Sequence, residues 1–90
     1  MKAKYSYFRI EYARHGGNKK VTRYCRVDQF GKVSYAEVRI NRGKNPAPAS
    51  VDMYKMGNTV CIVSPLHRVL PSTKFEFTKM VKEALKHILN

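Results

Sequence analysis

The chain has little acid, almost no cysteine and no tryptophan. Its 90 residues carry 6 Asp+Glu against 18 Lys+Arg, for a formal net charge of +12. Two cysteines, Cys25 and Cys61, make no disulfide framework of the kind small secreted domains use. Each sits in an apolar, strand-like run, so both read as reduced core thiols, and an intracellular, cytoplasmic protein is expected. No CxxC or HxxxH spacing occurs, and His15, His67 and His87 lie far apart, so no metal site is expected. No apolar run approaches the roughly 20 residues a membrane span needs. Residues 1–7 are charged and tyrosine-rich, without the apolar stretch of a secretory leader, and none is expected. Internal repeats and low-complexity tracts are missing as well. So are a P-loop, a GxSxG elbow and paired catalytic carboxylates. No enzyme activity and no cofactor are therefore expected.

What is present is an ordinary globular composition with an unusual charge. Hydrophobic residues make up 43% and charged residues 27%, which supports a folded core rather than a disordered chain. The length allows a single domain over residues 1–90. A small domain stays soluble on a net charge of about 2–8, and this chain exceeds that. An excess of +12 with a pI near 10.1 points to an anionic partner, nucleic acid first. The excess is uneven. Residues 1–50 hold 12 basic and 3 acidic residues, and residues 51–90 hold 6 and 3.

The first half alternates with a period of two, as half-solvated antiparallel strands do. Strands are expected over residues 4–14 (KYSYFRIEYAR), 21–28 (VTRYCRVD) and 33–41 (VSYAEVRIN). The first two are joined by the glycine turn HGGNKK (15–20) and the last two by QFGK (29–32). Residues 42–50 (RGKNPAPAS) form a basic, proline-stiffened loop. Residues 51–56 and 59–63 then read as a hairpin about Gly57-Asn58, with TVCIV (59–63) as a central strand buried on both faces. Thr73-x-x-Glu76 has capping-box spacing. Phe77, Met80, Val81, Ala84, Leu85 and Ile88 follow it at helical intervals. The expected fold is thus α+β: an antiparallel sheet of four to five strands with one C-terminal amphipathic helix packed on one face (β-β-β-β-β-α).

If the helix covers Phe8, Ile10, Val21, Cys25, Ala36, Val38 and Ile40, alternation leaves an open face. That face carries Tyr5, Tyr7, Arg9, Tyr24, Arg26, Tyr35 and Arg39. Tyrosine rings stack on unpaired bases and arginines contact phosphates. Lys19, Lys20, Arg42 and Lys44 would extend the basic track. The bland reading is that Glu11, Asp28 and Glu37 pair with these arginines across the strands. The expected function is nucleic-acid binding, to DNA or RNA, with low sequence specificity. One alternative is a small inhibitor or adaptor that docks its basic face or an edge strand on an acidic protein. A homodimer through an edge strand or the open face is a further option. A lesser alternative is a toxin-like, metal-independent endoribonuclease using His15, His67, Tyr24 and Lys20. In architecture alone the order is similar to that of single-strand-binding transcription cofactors and β-sheet DNA readers. The stretch 31–35 lacks the paired aromatics of RNA recognition motifs. Membrane binding is not expected, since the helix stripe is needed for the core.

Overall fold

The computed structural model of the chain describes residues 4–14, 19–41, 50–60 and 64–89. Among them are five strands and one helix: β1 (Ser6–Arg14), β2 (Lys19–Val27), β3 (Lys32–Asn41), β4 (Ser50–Val60), β5 (Arg68–Pro71) and α1 (Lys74–Leu89). The strands form a single antiparallel sheet in the order β4-β3-β2-β1-β5. The α+β architecture expected from the sequence is the one observed.

The β2–β3 turn shows its cause locally. Asp28 follows β2, and its Oδ1 accepts the N–H groups of Phe30 at 2.9 Å and Lys32 at 3.0 Å. Gly31 takes φ +85°, a conformation that side chains resist, so glycine is required there. Asp28 is therefore a turn residue and not a member of a sheet face, as the strand at 21–28 implied.

The hairpin expected about Gly57-Asn58 does not exist. β4 runs unbroken through both residues and pairs with β3 on the outside of the sheet. Gly57 is needed for a different reason. It lies opposite Tyr35, and a Cβ there would stand 2.5 Å from the Tyr35 hydroxyl. A glycine inside a strand here marks close approach of a ring, not a reversal. Thr59 is exposed on this outer strand rather than in a doubly buried one. Residues 61–63 of the TVCIV run, with Cys61, lie outside the described residues, as do His15 and the glycines of the first turn. Near its start β4 also carries a register irregularity opposite Arg39 and Ile40. The fifth strand, β5, is not the expected 59–63; it adds to the far side of β1 and ends at Pro71, where an edge tolerates proline.

The helix starts as its sequence dictates, with one change. The Thr73 hydroxyl accepts the Glu76 N–H at 3.1 Å, the first half of the capping box. The Glu76 carboxylate turns instead to the Ser72 hydroxyl at 2.6 Å and to Arg9 at 3.5 Å. This ties the helix N-terminus to β1. Phe77 and Ala84 are buried on the sheet, while Leu85 and Ile88 remain 41% and 49% exposed. The helix packs over β2, β3 and β4.

The face it covers is not the expected one. Directly opposed residues share a face, and the register pairs Tyr7 with Arg26, Arg9 with Tyr24, Tyr24 with Ala36 and Val38 with Tyr54. Phe77, Glu76 and His87 of the helix meet this set. Ala36 and Val38 lie under the helix as expected. Phe8, Ile10, Val21 and Cys25 lie on the opposite face, with Val33, Tyr35, Glu37 and Arg39. There Ile10, Cys25, Val33 and Tyr35 form a second buried cluster, flanked by Phe8, Tyr12 and Val27. The sheet buries apolar side chains on both sides.

Candidate nucleic-acid interface

The register divides the expected Tyr/Arg platform between two faces. Tyr7, Arg9, Tyr24 and Arg26 are on the helix side, engaged internally. The Tyr7 ring is tilted against Phe77 at 5.8 Å. The Arg26 guanidinium lies over Tyr5 at 4.3 Å and Phe77 at 5.2 Å. Arg9 pairs with Glu76, and its Nε is buried without a hydrogen-bond partner among the described residues. Tyr24 is half-buried; burial, then the nearby Glu76 charge, raises its hydroxyl pKa above the ordinary 10.0. Lys19 and Lys20 open β2, and Lys20 pairs with Glu11 at 3.7 Å. Arg42 and Lys44 lie outside the described residues. Tyr35 and Arg39 are on the other face.

That helix-free face holds a charged centre the sequence reading missed. Glu37 of β3 is fully buried, at 0% exposure. Arg23, directly opposite on β2, donates from Nε to Glu37 Oε1 at 2.7 Å. Arg39, two residues along β3, donates from Nε to Oε2 at 2.9 Å. Lys55 of β4, exposed, stands opposite Glu37 on its other side. Two arginines therefore bind one carboxylate, and Lys55 shares the face beside it without pairing with it. Burial by itself would raise the Glu37 carboxyl, but the bonds and charges of Arg23 and Arg39 overcome it and hold the group below its ordinary 4.5. Burial by itself would lower Arg23, and the bond to Glu37 reverses this and raises it.

Aromatic rings complete the face. The Arg23 guanidinium lies 4.8 Å from the Tyr35 ring centre and 5.8 Å from that of Tyr12. Tyr12 stacks on His67 at 4.7 Å. His67 Nδ1 accepts the Ser64 N–H at 3.4 Å, which leaves Nε2 as the ring's donor. Each arginine has five N–H donors and binds Glu37 through Nε, so the distal edge of the guanidinium remains for an anion.

The sequence carried a signal for this centre. Arg23 interrupts the apolar alternation Val21, Cys25, Val27, and Glu37 interrupts that of Tyr35. A charge inside an apolar set needs a partner of opposite sign, and the register brings the two interruptions together. Tyr12, Lys55 and His67 carried no comparable signal.

The fold and its charged centre define the class: a small basic α+β domain with a cationic, helix-free sheet face. Comparison with known proteins goes no further, since no family model, no curated protein and no solved structure matches the chain. No described helix is long and apolar enough to cross a membrane. Among the described residues no group of His, Cys, Asp and Glu is placed to hold a metal ion.

Proposed function

We propose that this protein is a non-enzymatic nucleic-acid-binding domain whose helix-free sheet face holds the phosphate backbone. Arg23, Arg39 and Lys55 are the contacts, with His67 Nε2 as a further donor. The observation that carries the reading is that two arginines share the one carboxylate Glu37, both of whose oxygens are bound, while Lys55 stands exposed on the same face without an ion pair among the described residues. The wider charge balance agrees with it. Glu11, Glu76 and Glu83 are paired with cations, and Asp28 is committed to its turn. Lys4, Lys32, Lys55 and Arg68 have no ion pair among the described residues.

The non-enzymatic part rests on Glu37. A carboxylate buried, doubly bound and lowered in pKa fixes two guanidiniums in place; it is poorly suited to taking a proton from a substrate. Contacts of this kind address phosphates and carry little base information, so sequence preference should be weak.

Fluorescence anisotropy with labelled nucleic acid at about 50 and 200 mM salt, with heparin as competitor, tests the reading. Lys55→Gln should weaken binding several-fold, and the paired change Lys79→Gln, Lys82→Gln on the outside of the helix should weaken it less. Equal losses from both, or binding abolished by trace heparin, would mean that the charge is generic. A stoichiometric protein partner that survives nuclease treatment would favour the adaptor alternative.

A further inference from the structure

The helix-free face combines fixed cations with rings that are already covered. Tyr35 is 8% exposed; Arg23 lies over its ring, and its hydroxyl end crowds the backbone of Gly57. Tyr12 has His67 stacked on it and Arg23 within 5.8 Å. Phe8, half-buried, packs against the cluster of Ile10, Cys25, Val33 and Tyr35. Single-strand binding by sheet faces draws about 1–3 kcal/mol per base from open aromatic rings. Tyr35 is buried and Phe8 and Tyr12 are half-buried, so this face offers little open ring. Binding on this face therefore rests chiefly on phosphates.

From this we infer that the ligand class is double-helical nucleic acid, held by its backbone, rather than single strands held by their bases. The inference rests on the proposed nucleic-acid role and narrows it. A duplex keeps its bases stacked inside and needs no protein ring. It also presents one negative charge per about 1.7 Å of axis, twice the linear density of one strand, and releases more counterions per phosphate neutralised. The arginines suit such a rigid target, because Glu37 fixes both guanidiniums before any ligand arrives. A mobile single strand would gain less from that fixed geometry.

The test is direct competition on the full chain. A labelled duplex is displaced by unlabelled duplex DNA, duplex RNA, oligo(dT) and oligo(A), all matched for total phosphate. Duplexes should compete at least about fivefold better than either single strand, with a salt slope near −0.9 per contact rather than −0.7. The tyrosine fluorescence should not be quenched by single strands. If oligo(dT) or oligo(A) competes as well as duplex, or quenches tyrosine, the duplex inference is overturned while nucleic-acid binding stands. If the labelled duplex itself does not bind and neither single strand does, the nucleic-acid role falls with it. A difference between the DNA and RNA duplexes would name the helix form preferred and support the inference.

Discussion

Arg23 and Glu37 face each other across β2 and β3, joined Nε to Oε1 at 2.7 Å, on the face of the sheet opposite α1. The carboxylate is wholly buried and the guanidinium partly so, with side-chain exposures of 0% and 27%. Removing one member of a buried pair leaves the other charge unsatisfied, at a cost of about 3–5 kcal/mol. Glu37→Gln should therefore destabilise the fold strongly, as read by urea unfolding. Arg39→Gln should cost less, because Arg23 still neutralises Glu37. If Glu37→Gln is neutral, the centre is not the support described.

The same pair sets an acid limit. The folded-state pKa of Glu37 is depressed below 4.5, so its stabilisation is complete above that value. It is lost as pH falls through the folded pKa. Unfolding free energies measured between about pH 3 and 7 should thus decline below about pH 4.5, and Glu37→Gln should flatten that part of the decline.

Gly57 and Tyr35 form a second coupled pair. A Cβ at Gly57 would meet only Tyr35 atoms within its three closest contacts, at 2.5, 2.6 and 3.0 Å. Gly57→Ala should cost about 1–3 kcal/mol through overpacking. In a Tyr35→Ala background the same change should cost far less. A double-mutant cycle measures the difference, and additive losses would place the constraint elsewhere.

Tyr7→Ala combined with Tyr35→Ala now carries a different expectation from the one the open platform implies. Tyr7 holds the helix through Phe77 and Tyr35 is core, on opposite faces. Truncating a buried aromatic costs about 3–5 kcal/mol, with less for a half-buried one. The double variant should lose its thermal transition altogether rather than remain folded with weakened binding.

The helix, its Thr73 cap, the β2–β3 turn and the first three strands were all legible in the sequence, because each depends on local spacing. The sheet faces were not. Alternation says which residues of one strand share a side, but the pairing between strands decides which sides coincide. Here Val21 stands beside Arg39 and Cys25 beside Tyr35, so the most apolar sides of β2 and β3 do not coincide. The helix settled on tyrosines and arginine stems, and Tyr7, Arg9, Tyr24 and Arg26 of the expected platform fell under it. Gly57-Asn58 resembled a turn locally, yet the glycine answers a tyrosine on the next strand, which no local pattern shows. Arg23 was passed over because it stood among apolar neighbours, although that position was the clue.

The most direct test of the central claim follows the arginine Nε–H resonances during titration with a short duplex. Arg23 and Arg39 should give protected signals, since Glu37 accepts both. The account predicts that these two shift on binding, together with backbone amides around Lys55, while Arg26 under the helix and the amides of Lys79 and Lys82 stay in place. Shifts confined to the helix, with Arg23 and Arg39 unmoved, would contradict it.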